Sequence, residues 1–236
     1  MKAIILAGGK GTRLAPYTTV LPKPLMPIGD MPVLDIVIRQ LAYHGFDDIT
    51  LAVGYLAELV MAYCGDGSKY NVRLTYSREE NPLGTAGPIA LVEDLDETFL
   101  VMNGDLLTTL DYSAMWQHHH KRGAITTLAT HQRDVKIDLG VIKSNAEAWV
   151  TDYIEKPVFH YTVSMGIYIF EPAILNYIPR NARYDLPELV LYLLQQRHQV
   201  NAYAHNGYWL DIGRHEDYAS AIQEFDAHRR EFLPSD

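Results

Sequence analysis

A glycine-rich loop with basic residues around it is the first part of the sequence whose residue types could do chemistry. The apolar run Lys2–Ala7 leads into Gly8-Gly-Lys-Gly-Thr-Arg13, and Lys23 follows between two prolines. Glycines after a strand let backbone N–H groups approach a phosphate chain, and Arg13 and Lys23 add cationic donors. The alternative interpretation is that this loop is an ordinary tight turn that binds no phosphate. The loop matches neither a Walker A motif nor a G-x-G-x-x-G fingerprint, so the residues indicate another kind of phosphate cradle.

Two acidic residues further along the chain could hold a metal ion. Asp105 ends Asn103-Gly-Asp105, directly after the apolar run 99–102, and Asp211 lies in Trp209-Leu-Asp-Ile-Gly213. Carboxylate oxygens suit Mg²⁺, which usually bridges protein carboxylates to substrate phosphates. The structural alternatives are an Asx turn for Asp105 and a helix N-cap region for Asp211. No Cys/His pair or Gly-x-Ser-x-Gly elbow suggests covalent catalysis.

The elements that must position these residues alternate between strand and helix in the first half of the chain. Hydrophobic spacing predicts strands at 2–7, 49–53, about 72–77 and 99–102, and helices at 31–45, about 55–64 and from about 86. This alternation indicates a mostly parallel sheet, in which ligands sit outside the carboxyl ends of the strands. The glycine-rich loop and Asn103–Asp105 are therefore expected in one crevice.

The second half of the chain is richer in strands. The pattern predicts strands at 124–130, 140–143, 150–155 and 163–170, helices at 186–196 and 216–230, and a strand end or turn at 209–213. This part is expected to add a mixed or antiparallel extension to the parallel sheet. The fold class is therefore α/β, and a single domain over 1–236 is the simpler division of a chain of 236 residues.

Composition excludes several classes of protein. Hydrophobic residues make up 48% of the chain, which is enough for a packed core, and the net charge of -9 opposes general binding to nucleic acid or an anionic membrane. The lone Cys64 cannot form an intramolecular disulfide, which favours a reducing compartment. No apolar run is long enough for a signal peptide or a spanning helix. We expect a soluble, cytoplasmic protein.

Several motifs in order resemble the sugar-nucleotide pyrophosphorylases. The opening Gly-Gly-x-Gly-Thr-Arg-Leu is followed by Pro-Lys-Pro-Leu, and five further matches follow it: Pro82-Leu-Gly-Thr-Ala-Gly87, Asn103-Gly-Asp105, Glu155-Lys-Pro157, Gly166-Ile-Tyr168 and Trp209-Leu-Asp-Ile-Gly213. The resemblance covers nearly the whole chain, and its closest motifs are those of the mannose-1-phosphate guanylyltransferases. It implies a three-layer, Rossmann-like, mostly parallel mixed sheet with helices on both faces.

The resemblance also implies a reaction. A sugar 1-phosphate oxygen attacks the α-phosphorus of a nucleoside triphosphate, giving a nucleotide sugar and pyrophosphate. Because that oxygen is already ionised, catalysis reduces to positioning and charge neutralisation. Arg13 would hold the leaving phosphates and Lys23 the α-phosphate region, while Asp105 and Asp211 would hold Mg²⁺. The predicted partners are the two substrates, with no nucleic acid or membrane, and a homo-oligomer is left open.

The matched motifs assign the two substrates to two sets of residues. The predicted nucleotide-binding residues are Leu6, Gly8, Gly9, Gly11, Thr12, Arg13, Glu79, Glu80, Gly84, Thr85 and Ala86. The predicted sugar-phosphate-binding residues are Asn103, Gly140, Glu155, Lys156 and Gly166. For Glu155 and Lys156 a surface ion pair is the alternative. Ser164-Met-Gly166 departs from the Asn-Ala-Gly of many relatives, which puts the identity of the sugar in doubt.

The nucleotide is predicted from Glu79 and Glu80, which stand where relatives that use UTP or dTTP place a glutamine. Guanine presents N1–H and an amine side by side, and one carboxylate accepts both, whereas uracil and thymine present one donor between two acceptors. GTP with mannose 1-phosphate or a related sugar is therefore expected. The alternatives are thymidylyl or uridylyl transfer to glucose 1-phosphate, cytidylyl transfer to an alcohol phosphate, a catalytically silent nucleotide-binding module, and a merely solvated pair of glutamates.

Two other features favour structural interpretations. His118-His-His120 resembles a metal cluster, but adjacent positions on a helix point in different directions, so a solvated helix face is expected. The 16 tyrosines lack interleaved basic residues and are expected in core and rim packing.

The residues after Gly213 are too few for the β-helix domain of larger relatives, and no such domain is expected.

Overall fold

A computed structural model describes residues 1–233, so the last three residues of the predicted domain lie outside the described part. The strands are β1 (Lys2–Ala7), β2 (Pro27–Ile28), β3 (Met31–Pro32), β4 (Asp48–Val53), β5 (Arg73–Arg78), β6 (Phe99–Asn103), β7 (Leu106–Thr108), β8 (Thr126–Lys136), β9 (Val141–Ser144), β10 (Val150–Ile154), β11 (Val158–Phe170), β12 (Val200–His205) and β13 (Trp209–Asp211). The helices are α1 (Val33–Tyr43), α2 (Ala57–Cys64), α3 (Tyr112–Arg122), α4 (Leu186–Gln195) and α5 (His215–Phe232). Within residues 1–233, no helix combines the length and the apolar character needed to cross a bilayer.

The central sheet has seven strands in the order β12-β8-β11-β6-β1-β4-β5. β1 pairs in parallel with β4 and β6, and β4 pairs in parallel with β5. β11 runs antiparallel to β6 and β8, so the second half of the chain adds the predicted mixed extension. The prediction of a mostly parallel mixed sheet is confirmed.

Apolar side chains cover both faces of this sheet because they alternate along each strand. In β1, Ala3 and Ile5 face a cluster that includes Leu41 of α1 and Met115 of α3. Ile4 faces the opposite cluster, which includes Leu189 and the other buried leucines of α4. A third cluster packs α5 against α1 and β7. The predicted three-layer arrangement, with helices on both faces, follows from these contacts.

One predicted helix differs from the structure. The helix predicted from about residue 86 is wrong, because this segment forms only a 3₁₀ helix over Gly87–Leu91. Pro88 lacks an N–H donor, and Glu93–Asp96 after this turn is charged at three of its four positions, so no apolar face continues. The strand end or turn predicted at 209–213 is present, since strand β13 covers the first three residues and ends at Asp211.

The antiparallel extension is longer than predicted. The pairing of β8 with β11 begins at Thr126 opposite Phe170 and ends at Lys136 opposite Val158. It continues beyond the last residue of β8 that pairs with β12. Beyond this ladder, β9 and β10 form a separate hairpin. We call residues 132–163 the arm. Many of its apolar side chains are exposed, and Leu139 and Trp149 each have a relative solvent exposure of 73%.

The expectation of a solvated face at His118–His120 is wrong at its middle residue. His119 is only 1% exposed, and its Nε2 donates to Glu171 Oε1 at 2.9 Å while Nδ1 accepts from the Thr127 hydroxyl at 2.8 Å. His120 is exposed, and the His118 ring packs against Tyr203 at 5.2 Å. The physical reason is that α3 lies against β8, so every third or fourth residue of the helix is covered.

We predict that His119 makes the fold sensitive to acid. Burial lowers the pKa of His119, although its bond to Glu171 acts in the opposite direction. Below a pH of about 6.5 an unfolded histidine gains a proton that the folded one resists, so stability is lost as the pH falls through this range. The unfolding free energy, measured by urea titration at pH 7.5 and 5.5, should fall less in His119→Gln than in the wild type.

His120→Gln is the matched control, since it changes an exposed histidine of the same helix. Its acid dependence should equal that of the wild type. If His119→Gln keeps the full loss of stability between the two pH values, His119 is not the acid-sensitive group.

Candidate functional site

Two loops meet at the carboxyl ends of β1 and β6, as the strand order requires. The backbone N–H of Gly104 donates to Leu6 O at 2.9 Å, which holds the loop after β6 against β1. The cavity above them has a volume of about 1250 Å³. Among its lining residues are ten of those predicted from the sequence: Leu6, Gly8, Gly9, Lys23, Glu79, Glu80, Gly84, Thr85, Asn103 and Asp105. The structure thus brings together the glycine-rich loop and Asn103–Asp105 in one crevice.

Three charged side chains form the centre of the site. Lys23 Nζ is in direct contact with Asp105 Oδ2 and lies 3.8 Å from Asp211 Oδ1. Asp211 reaches this position because β13 pairs with β7, opposite Leu106, and Ile212 N–H donates to Asp105 O at 3.1 Å. Two carboxylates that are far apart in the sequence therefore share one ammonium group.

The two carboxylates repel each other, and this repulsion affects the pKa of Asp211. Burial raises the pKa of Asp211, and the charge of Asp105 raises it further, while Lys23 and Arg13 act against both. A further cation between the carboxylates would relieve this repulsion. Within residues 1–233, no three His, Cys, Asp or Glu side chains converge on a metal position. Two carboxylates fit Mg²⁺, which commonly takes its other ligands from water and substrate phosphates.

The glycine-rich loop is shaped by close contacts. A Cβ at Gly8 or Gly54 would lie 2.5 or 2.7 Å from Glu79 Oε1, so a side chain at either position would displace the Glu79 carboxylate. Further along, the Thr18 hydroxyl donates to Gly11 O at 2.8 Å and closes the turn that carries Arg13. Gly8 and Gly9 therefore expose backbone to the large cavity, which Lys10 also lines.

The loop after β5 is held by one contact within the loop and one from a residue distant in sequence. Glu79 Oε2 accepts from Leu83 N–H at 2.9 Å, and Asp185 Oδ1 accepts from Thr85 N–H at 2.9 Å. Gly84 has a φ of +81°, and a Cβ there would lie 2.6 Å from Tyr184 O. Asp185 was not predicted as a site residue. Its sequence signal is the Asp-x-x-Glu pattern of a capping box, which is present at the start of α4.

A second, smaller cavity lies beside Asp211. Its volume is about 410 Å³, and its lining includes Arg13, Arg133, Arg214, Asp211 and Trp209. The Arg13 guanidinium lies over Gly213, where a Cβ would be 3.3 Å from Nη2. Of the predicted site residues, Arg13 and Asp211 line this cavity rather than the large one.

Seven predicted site residues line neither cavity: Gly11, Thr12, Ala86, Gly140, Glu155, Lys156 and Gly166. Ala86 is fully buried, and Gly166 packs against the Asn103 amide. The arm carries the remaining three of the sugar set, and Glu155 accepts a hydrogen bond from the Tyr153 hydroxyl at 2.9 Å. The six residue steps of β11 from Ser164 back to Val158 span roughly 20 Å, so Glu155 and Lys156 lie away from Asn103.

We predict that Asp185 holds the Gly84-Thr85 turn as well as capping α4. Replacing it with alanine removes the acceptor of the Thr85 amide, so hydrogen exchange at that amide should accelerate about tenfold. Glu188→Ala is the matched control, because it removes only the reciprocal bond of the capping box. Equal exchange at Thr85 in both variants would show that the turn does not depend on Asp185.

Comparison with known proteins places this chain in a family. The nucleotidyl transferase family profile matches residues 2–228. A UTP–glucose-1-phosphate uridylyltransferase of Synechocystis sp. is 36% identical over 94% of this chain and 63% of its own length. A mannose-1-phosphate guanyltransferase of Schizosaccharomyces pombe is 36% identical over 92% of this chain and 62% of its own length. The chain thus spans less than two thirds of the curated relatives it matches.

The solved structures agree on the fold. The crystal structure of HddC from Yersinia pseudotuberculosis matches with a TM-score of 0.74 and 26% identity, over 95% of this chain and 99% of the other. The family profile covers β1, β6, β7 and β13, which are the strands that assemble the Lys23, Asp105 and Asp211 cluster. The chain belongs to the nucleotidyl transferase family.

Proposed function

We propose that this chain is a sugar-1-phosphate nucleotidyltransferase, which converts a nucleoside triphosphate and a sugar 1-phosphate to a nucleotide sugar and pyrophosphate. The observation that carries the proposal is the cluster of Lys23, Asp105 and Asp211 at the boundary of two cavities. A reaction between two phosphate esters needs a cationic centre that both can approach. The test is pyrophosphate release across a matrix of the common nucleoside triphosphates and sugar 1-phosphates.

The chemistry needs positioning more than proton transfer. An ionised oxygen of the sugar phosphate forms a bond to the α-phosphorus, and the bond from that phosphorus to the bridging oxygen breaks with its electron pair leaving on pyrophosphate. Lys23 would neutralise the α-phosphate, and Arg13 the departing phosphates. Both cations are preplaced, Lys23 by its contact with Asp105 and Arg13 by its packing on Gly213.

Asp105 and Asp211 would hold Mg²⁺, which supplies charge neutralisation to the substrate phosphates when bound. The positioning of the two carboxylates comes from the fold of the chain itself. The short pairing of β7 with β13 keeps the two carboxylates at one place, and Lys23 contacts Asp105 and lies 3.8 Å from Asp211.

Asp105→Asn and Asp211→Asn should each lower kcat about 100-fold or more, because each removes a charge that holds the metal at the reacting phosphates. Circular dichroism should show an intact fold. Asp96→Asn, which changes an exposed carboxylate in a loop, is the control and should keep full activity. Near-normal turnover that still requires Mg²⁺ in the double variant would contradict the role of this pair.

We propose GTP as the nucleotide. Glu79 and Glu80 both line the large cavity, but their carboxylates are used differently. Glu79 is engaged with the Leu83 amide, whereas Glu80 is exposed at the cavity wall. Glu80 is therefore the carboxylate that would accept from guanine N1–H and the exocyclic amine, and Glu79 would hold the loop that presents it.

Mannose 1-phosphate or a related sugar phosphate is the proposed acceptor, in the part of the large cavity that Asn103 lines. Uridylyl or thymidylyl transfer to glucose 1-phosphate is the second candidate, because the Synechocystis relative named for UTP is as similar as the guanyltransferase. The presence of Arg13, Lys23, Asp105 and Asp211 argues against a silent nucleotide-binding module. Sugar contacts by Gly140, Glu155 and Lys156, a cytoplasmic location and a homo-oligomer stay predictions.

Competition among GTP, UTP, dTTP and CTP at equal concentration should give mainly the guanosine product. Glu80→Gln should reduce that preference about tenfold, since an amide replaces one acceptor by a donor. Glu93→Gln changes an exposed glutamate outside both cavities and should leave it unchanged. Dominance of a pyrimidine nucleotide in the wild type would refute the guanine assignment.

A further inference from the structure

Two arginines outside every recognised motif line the smaller cavity. Arg133 lies in β8 at the base of the arm, and Arg214 follows Gly213 at the start of α5. Both share the cavity with Arg13, so three arginines line a space of about 410 Å³. The cavity directly adjoins Asp211 of the central cluster.

These arginines differ from many others of the chain in their ion pairing. Arg39, Arg73, Arg78, Arg183 and Arg229 each have a carboxylate oxygen within 4.0 Å. Within residues 1–233, no carboxylate lies that close to Arg13, Arg133 or Arg214, in a chain whose net charge is -9. Arginines without a carboxylate at contact distance can each offer their N–H groups to an anion.

The carboxylates that line the same cavity do not neutralise the arginines at contact distance. Asp134 is paired with His160 at 2.6 Å, and Asp211 shares Lys23 with Asp105. Asp217 lies in the first turn of α5, where the helix dipole favours a negative charge. The three guanidinium groups therefore remain available to a ligand.

We propose that Arg133 and Arg214, together with Arg13, bind the pyrophosphate leaving group. The inference rests on the proposed nucleotidyl transfer. Pyrophosphate carries the highest charge density of the products, and guanidinium forks match phosphate oxygens in pairs. The first turn of α5 has no side-chain cap, so its backbone N–H groups add donors beside Arg214.

The position of the cavity agrees with an in-line reaction. Asn103 and Asp105 line the large cavity, where the acceptor is proposed to sit, whereas Arg13 and Asp211 line the smaller one. Attacking and leaving oxygens must lie on opposite sides of the α-phosphorus. As the bond to the bridging oxygen breaks, the electron pair and the charge pass toward the arginines.

The experiment measures pyrophosphate directly in Arg133→Ala and Arg214→Ala. In the reverse reaction, from nucleotide sugar and pyrophosphate, each variant should raise KM for pyrophosphate about tenfold. KM for the nucleotide sugar should change less than threefold. Arg122→Ala removes an exposed arginine at the end of α3, outside both cavities, and should change neither constant.

Calorimetric titration of magnesium pyrophosphate into each protein gives a readout that does not depend on turnover. Binding should weaken in the Arg133 and Arg214 variants and not in Arg122→Ala. Unchanged pyrophosphate binding in both variants would overturn the inference even if the enzyme is active. A rise confined to KM for the nucleotide sugar would also overturn it, because the cavity would then hold that substrate instead of pyrophosphate. A wild type that binds pyrophosphate but transfers no nucleotide would instead count against the proposed function.

Discussion

The short antiparallel pairing of β7 with β13 is the constraint on which the site depends. It places Asp211 opposite Leu106, and the bond from Ile212 N–H to Asp105 O locks the two acidic residues side by side. The pairing holds the two carboxylates close although burial and the charge of Asp105 both disfavour the charged form of Asp211. Lys23 offsets part of that cost, which explains why a basic residue from the first loop lies between them.

The central sheet supports this arrangement. β1 and β6 end at the same edge, so the glycine-rich loop and the loop that carries Asp105 meet there without any long connection. The cations around the cluster are fixed by contacts of different kinds: an ion pair for Lys23 and packing over glycine for Arg13. Such preplaced charges need little reorganisation when phosphate charge develops, which is the main requirement of phosphoryl chemistry.

The sequence predicted those features whose signals are local. An apolar run before glycines defines β1, and alternating strands and helices imply the parallel sheet. His119 was misjudged because its partners Thr127 and Glu171 are on other elements, and a histidine triplet by itself resembles a polar surface. Asp185 had a local capping signal, but its contact with Thr85 depends on the fold. Arg133 and Arg214 had no signal, since only the tertiary structure brings them to Arg13.

The central claim is that the reacting phosphates meet at Lys23, Asp105 and Asp211. A crystal structure with a non-hydrolysable nucleoside triphosphate and Mn²⁺, collected at a wavelength that reveals the manganese by its anomalous signal, tests this most directly. The account predicts a manganese peak within about 2.2 Å of oxygens of both Asp105 and Asp211, with the α-phosphate beside Lys23. A manganese peak or an α-phosphate located away from these three side chains would contradict it.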